Sequence, residues 1–365
     1  MPSTLFGALC TAIGRAHEAK LGRRLTSAEW QDLADKQLVL DATLAVRRPV
    51  GRTGSWLAAD RVWPVPADTL FVASPDKATK SVRHLDPRAQ RVPTLGRDDD
   101  PAREALSVPC VDAEATGKPT SGPSWWSEDV LLRWLTDPAQ PPVGTDAFTG
   151  LALPRHVQAH VGIDPATATA RDAILFAHDV VETLDAARAE WAIACRIETT
   201  YPLPAGWITL GGDRRPARLE LLPNPLFACP ETLFKAFAKA QPRGLRLVAM
   251  TPASFKGGWL PDGFSAADGC AYRGHLPNIA ANLVLRAAFI RRAGHVSGWD
   301  MALGAPKPTT RLVPPGSVYC FEKADGTPFS AEEARRLWLA PLGERTRQGL
   351  GSFVPGLWHP IQEKS

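Results

Sequence analysis

Apolar residues recur three and four positions apart at the very start of the chain: Leu5, Phe6, Leu9, Ala12, Ile13 and Ala16. That spacing places them on one stripe of an α-helix. Ser3 or Thr4, just after Pro2, is expected to cap it, because a hydroxyl can accept from the free first-turn N–H groups. A helix this apolar normally packs on a sheet that has already begun, so its place at residue 1 is unusual. A second helical stretch is predicted over residues 27–38, then extended chain over 55–73, broken by Pro64 and Pro66. Residues 74–122 are polar and proline-rich, with Asp98, Asp99 and Asp100 in a row, and read as a long insertion or loop. A short helix is predicted over 125–135, with Trp125, Leu132 and Leu135 able to share a face.

The period then changes from helix to strand. Val157, Ala159, Val161 and Ile163 alternate with His156, Gln158, His160 and Gly162. Asp164-Pro165 turns the chain and residues 173–176 return, which is a β-hairpin with a long tip at 164–171. Residues 191–197 are expected to form a strand buried on both faces. Residues 207–210 lead into Gly211-Gly212-Asp213-Arg214-Arg215, with a further strand over 219–222. Asn224-Pro225 marks a domain boundary. Beyond it come a helix over 230–240 with proline in its first turn, strands over 245–250, 287–290 and 317–321, and a helix over 330–339 capped by Ser330. A glycine-rich tail follows, with Gly343, Gly349, Gly351 and Gly356. Helices alternate with strands and hairpins in both halves, which argues α+β and not a doubly wound parallel sheet. The expected domains are 1–225, with an insertion at about 74–150, and 226–365.

A length of 365 residues agrees with about two domains. No apolar run approaches the ~18 residues needed to span a bilayer. Six cysteines are scattered, and the closest pair, Cys195 and Cys229, excludes a CxxC-type ligand pair. A cytoplasmic protein with buried thiols, no metal and no cofactor is expected. Charge is uneven: residues 226–365 hold 17 basic and 10 acidic side chains, whereas residues 1–225 hold 25 and 28. Arginine outnumbers lysine by 31 to 11. Guanidinium forks suit phosphate, although on charge alone a solvated surface is the simpler account.

Standard catalytic patterns are absent from the sequence: no GxxxxGK[ST], no GxSxG and no HExxH. Gly349-Leu350-Gly351 begins like GxGxxG, but the sixth position is Val354. His156 and His160 lie four apart on one strand face with no third ligand nearby, and read as the polar face of a hairpin. Gly211-Gly212-Asp213-Arg214-Arg215 combines a close-approach backbone with guanidinium donors; a plain β-turn with exposed arginines fits it equally well. Arg345, Arg347, Gly349 and Gly351 repeat this chemistry, and Lys256-Gly257-Gly258-Trp259 adds a base and a stacking ring. Three such loops suggest a polyanion partner, and none supplies a nucleophile or general acid.

Seven segments in order resemble one family. They are Pro2-Ser3-Thr4-Leu5-Phe6-Gly7-Ala8-Leu9; His156-Val157 with Gly162-Ile163-Asp164 and Ala173-Ile174-Leu175-Phe176; and Leu210-Gly211-Gly212-Asp213-Arg214-Arg215. Residues 247–255 with Gly258-Trp259, Gly298-Trp299-Asp300, Ala305-Pro306-Lys307-Pro308, and residues 313–319 complete the set, with the glycine-rich end through Trp358. Together they resemble the RAMP-superfamily third subunit of the Cmr (type III-B) CRISPR interference complex.

The resemblance implies two ferredoxin-like, RRM-type domains and a non-catalytic, RNA-binding subunit in antiviral defence. It implies that this subunit grips the 5′ tag of the CRISPR RNA and docks the large polymerase-like Cmr subunit and a neighbouring RAMP backbone subunit. Ser3, Thr4, Gly211, Gly212, Arg214 and Arg215 become candidate RNA contacts, as do Lys256, Arg345, Arg347, Gly349 and Gly351. The tip 164–171 looks like the projecting hairpin that RAMP proteins wedge against RNA. Family members carry a β-strand before the Pro-Ser-Thr motif, so this chain is expected to lack its first strand, leaving a gap or irregular pairing in the first sheet. The rival readings are a RAMP endoribonuclease processing precursor CRISPR RNA, with His156 or His160 as its acid or base, the tag-binding subunit of another type III system, and a small-molecule enzyme with a glycine-rich site.

Overall fold

The computed structural model describes residues 2–74, 80–88, 106–111, 117–137, 151, 153–211, 214–222, 225–267, 271–300 and 304–360. It is a mixed helix-and-strand protein whose named sheets are antiparallel throughout. Among the described residues no helix is long and apolar enough to cross a membrane.

The first helix, Pro2–Leu21, buries Leu5, Phe6, Leu9 and Ile13 of the predicted stripe together with Cys10, while Ala12 is half-buried and Ala16 exposed. These side chains pack on Leu33, Leu38 and Leu40. The next helix, Ser27–Asp32, is capped by Thr26, which exchanges bonds with Glu29 in a reciprocal box. It runs through a π-turn, Leu33–Gln37, into the long strand Leu38–Pro49.

That strand alternates buried and half-buried residues, as a strand with one covered face must. Its buried side chains serve three clusters. Leu38 and Leu40 lie under the first helix. Ala42 and Leu44 enter the main core. Val46 packs with Trp56, Ala194 and Leu226. It is flanked by Ala189–Thr199 on one side and Arg61–Pro64 on the other, with Trp125–Ser127 beyond. The register with Ala189–Thr199 slips between Leu40 and Ala42, making Asp41 the extra residue of a bulge.

Several expectations need correction. Ala189–Thr199 is not buried on both faces: only Ala189, Trp191 and Ala194 are buried, and Ile193 is 53% exposed. The strand closes one edge of its sheet, with one face left to solvent. Residues 74–122 are not simply loop, since Lys80–His84 pairs with Thr69–Ala73, and Asp86–Arg88 pairs with Val108–Cys110. The helix expected from Trp125 starts at Glu128, after a short strand, and buries Val130, Leu131, Trp134 and Leu135.

The second sheet has seven strands, in the order Phe264–Ala267, Ala271–Gly274, Leu283–Phe289, Val318–Lys323, Gly244–Ala249, Ser352–Trp358 and Ala340–Pro341. Gly244–Ala249 and Ser352–Trp358 are buried along their whole length. Helices Glu231–Ala240 and Ala331–Leu337 pack on one another, and Ser330 caps the latter in a box with Glu333. Helix Glu128–Thr136, from the first half, packs on Ser352–Trp358, where a Cβ at Gly356 would stand 2.9 Å from Leu135 Cδ2.

The main core draws on both sides of residue 225, from Ala42 to Trp358. Arg61 holds that junction. Its buried guanidinium donates to Leu226 O at 3.2 Å and Ala228 O at 3.1 Å, and pairs with Glu128. Burial raises the Glu128 carboxyl, against the pull of Arg61 and of Trp63, whose indole N–H donates to it.

A candidate RNA interface

Three segments far apart in sequence meet at the start of the first helix. Helical geometry already begins at Pro2, so Ser3 and Thr4 sit inside the first turn and not at its cap. A helix start leaves backbone N–H groups without intrahelical partners and carries the positive end of the helix dipole. Among the described residues neither hydroxyl has a hydrogen-bond partner.

The hairpin Gly206–Leu210 with Arg215–Leu219 is the second segment. Leu210 and Leu219 pack against the helix cluster, so the stripe of the first helix holds the hairpin in place. Arg215 is therefore a strand residue, and the strand predicted over 219–222 begins and ends earlier. The turn places Gly211 against the helix start: a Cβ on it would lie 3.9 Å from Thr4 Cγ2.

The glycine-rich tail is the third segment. Gly349 has φ +82°, and a Cβ there would lie 3.0 Å from Pro2 Cβ and 3.2 Å from Leu40 Cδ2. Only glycine permits this approach without displacement. The bulge at Asp41 lies beside Leu40, whose N–H donates to Arg347 O at 2.9 Å. Arg347 returns the grip, its Nη2 donating to Lys36 O at 2.8 Å.

Exposed cations ring this junction. Arg214 and Arg345 have φ of 51° and 57°, in the left-handed region that costs a non-glycine residue roughly 1 kcal/mol. Arg214 is exposed. Arg215 Nη2 donates to Gln158 Oε1 at 2.9 Å, tying this hairpin to the ribbon Arg155–Ile163 with Ala170–Val181. Arg345 Nη2 donates to Gln348 Oε1 at 2.8 Å. Lys256 lies on a neighbouring loop, joined to the tail where Glu344 N–H donates to Ser254 O at 2.7 Å. Gly351 is buried, with φ +75° and its N–H on Pro252 O at 2.8 Å, and shapes the tail. The structure thus brings Ser3, Thr4, Gly211, Gly349 and Arg347 together. Lys256 and Gly351 stand on the adjoining loops, and Gly212 lies outside the described residues.

The ribbon is exposed on both faces, with Leu175 75% exposed on one and Phe176 48% exposed on the other. Its register brings in side chains that the sequence reading did not single out. His160 stacks on Phe176 with centroids 5.1 Å apart, and His178 lies 5.0 Å from His160. Extending the alternation of 156–163 across the turn would have found both. His156 Nδ1 is 2.7 Å from Glu182 Oε1. Among the described residues no group of three or more His, Cys, Asp or Glu is placed to hold a metal ion. Burial holds the Cys10, Cys195 and Cys229 thiols up at about 11, assisted at Cys10 by Asp35, so none of them is activated.

Residues 1–358 match the family model for the CRISPR-associated protein Cas_Cmr3. The chain belongs to that family. The resemblance carried by the seven motifs is thereby borne out. Two cryo-EM structures of the type III-B Cmr-beta complex contain similar chains, each 12% identical to this one and each covering 87% of it. In the complex bound to cognate target RNA, 74% of the matched chain is covered, with a TM-score of 0.39. In the complex bound to target RNA and AMPPnP (state 1), the values are 76% and 0.42. None of the curated proteins compared matches the chain.

Proposed function

We propose that this Cas_Cmr3 protein is the non-catalytic subunit of a cytoplasmic type III-B effector that grips the 5′ tag of the CRISPR RNA. In the same reading it docks the large polymerase-like subunit and a neighbouring RAMP backbone subunit. The observation that carries this reading is the junction of a helix start, the Gly211 turn and the Gly349 tail, ringed by Arg214, Arg215, Arg345 and Arg347. A helix start carries N–H groups without intrahelical partners, and guanidinium groups are the donors that suit a phosphate backbone. Ferredoxin-like domains belong to the same proposal. In the second sheet, Gly244–Ala249 lies between Val318–Lys323 and Ser352–Trp358, with Leu283–Phe289 outside. That is the strand order of a βαββαβ unit.

The test is salt dependence. Arg214→Ala with Arg215→Ala should weaken tag-RNA binding and flatten the plot of log affinity against log salt by about 0.7 for each lost phosphate contact. An unchanged slope in a filter-binding series rejects the assignment.

The histidine face of the ribbon makes the endoribonuclease reading testable. His156→Ala with His160→Ala should leave RNA affinity and complex assembly as in the parent, with no change in guide-RNA length on a denaturing gel. Accumulation of uncut precursor in that double variant would move the assignment to the nuclease.

A further inference from the structure

Beyond the helix junction, the second half carries an open pocket of about 340 Å³ lined by Gly258, Trp259, Arg291, Arg292, Arg311 and Val313, among others. Its wall is pinned by a reciprocal backbone pair, Ala253 N–H to Val313 O at 3.0 Å and Val313 N–H to Ala253 O at 2.8 Å. Gly258, at φ +76°, turns the chain so that Trp259 follows at the cavity edge. The Trp259 carbonyl accepts from Tyr319 Oη at 2.6 Å, and its ring meets Tyr272 edge-on at 5.4 Å. The indole is therefore set in place before any ligand arrives.

Three exposed arginines line the pocket from two directions. Arg291 and Arg292 follow the strand Leu283–Phe289. Arg311 lies on Thr310–Leu312, opposite His295. Among the described residues none of the three has a carboxylate within ion-pair distance, whereas Arg286, on the preceding strand, is paired with Glu322. Like charges brought near one another repel, and a bound anion relieves that repulsion. Desolvation lowers the Arg291 guanidinium below its ordinary value against the opposing pull of the buried Asp68 carboxylate, and a bound anion would act in the same direction as Asp68.

The volume lies at the lower end of small-molecule sites and far exceeds the ~30 Å³ share of one water. A bare phosphate would leave most of it empty. A planar ring beside guanidinium forks is the pairing that suits a base joined to a phosphate. The cavity also adjoins the RNA junction, since Arg345 Nη1 is 3.5 Å from Thr310 Oγ1, one residue from Arg311.

We propose that this cavity is a nucleotide subsite, with Trp259 receiving the base and Arg291, Arg292 and Arg311 the phosphate. It deepens the RNA-binding reading and rests on it for the source of the nucleotide. That source is a residue of the bound RNA or a free mononucleotide, and the two share this chemistry.

The experiment titrates the full chain by calorimetry with AMP, adenosine, inorganic phosphate and a 5′-phosphorylated single-stranded octanucleotide. AMP should bind more tightly than adenosine or phosphate. Arg292→Gln with Arg311→Gln should weaken AMP and phosphate at least tenfold. Trp259→Leu should weaken AMP roughly tenfold and leave phosphate unchanged. These positions border the surface, and thermal melts of the variants check that the fold persists. Displacement of AMP by the octanucleotide, together with a weaker octanucleotide in the arginine variant, assigns the subsite to RNA. Octanucleotide binding without displacement assigns it to a free nucleotide. Arg214→Ala with Arg215→Ala should leave AMP binding intact. If that variant also keeps full RNA affinity, the tag-binding reading fails while the subsite stands. No AMP binding by the parent chain, or equal AMP affinity in both subsite variants, overturns the proposal.

Discussion

Arg246→Met should destabilise the protein by about 3–5 kcal/mol, read as a fall in the urea midpoint at neutral pH. Arg246 projects from Gly244–Ala249, at the heart of the second sheet, and is completely buried. Its Nη1 donates to Asp68 Oδ2 at 2.7 Å, its Nε to Leu357 O at 2.8 Å, and its Nη2 to Trp134 O. Asp68 is equally buried and also accepts from Trp134 Nε1 at 3.0 Å, with His84 Nε2 3.4 Å away. Removing the guanidinium would strand a carboxylate in the core, and that is where the cost arises. Asp68→Leu added to Arg246→Met should recover much of the loss, because a buried pair of charges is replaced by apolar volume. Desolvation raises the Asp68 carboxyl, but the charge of Arg246 and the bonds from His84 and Trp134 outweigh it and hold it at about 2. The folded value therefore lies below the ~3.9 of an unfolded aspartate. The stabilisation is complete above the unfolded value and is lost as pH falls from ~3.9 through about 2. A loss below 1 kcal/mol for Arg246→Met would show that water reaches the pair.

Gly349→Val should have the largest effect on RNA affinity, a loss of at least tenfold. A branched side chain at φ +82° is strained whatever the space around it. Here its Cβ would also press on Pro2 and Leu40. The simplest relief moves the helix start away from the tail, which separates the donors of the proposed site. Overpacking of this kind costs typically 1–3 kcal/mol in stability, so the melt should fall as well. Arg347→Ala provides the comparison: it removes the bonds to Lys36 O and Leu38 O without adding bulk. It should weaken RNA binding less than Gly349→Val. Unchanged RNA affinity in Gly349→Val would separate the junction from binding.

Element type was legible wherever one period ran unbroken. The stripe Leu5, Leu9 and Ile13 forms the predicted helix, and Val157 to Ile163 forms the predicted strand. Ser330 caps its helix as expected, because a capping box is local chemistry. Errors arose where neighbours decide. Residues 191–197 are apolar enough for a core strand, yet their position at a sheet edge leaves Ile193 exposed. Arg215 reads as loop next to two glycines, but pairing with Leu210 makes it strand. Arg291, Arg292 and Arg311 carry no motif, and the cavity they share with Trp259 exists only once two strands and a loop are assembled.

By itself the sequence determined the α+β class, the helix that opens the chain, the Gly/Arg loops and the family, since each depends on residue type and local spacing. Only the tertiary structure decided that Gly211 and Gly349 face the same helix start, that Arg246 and Asp68 neutralise one another in the core, and that three arginines line one pocket with Trp259. The physical reason is that spacing encodes which face of an element is apolar, whereas contacts between residues 4 and 211, or 68 and 246, depend on how those faces stack. Long-range packing sets that stacking, and no local pattern records it.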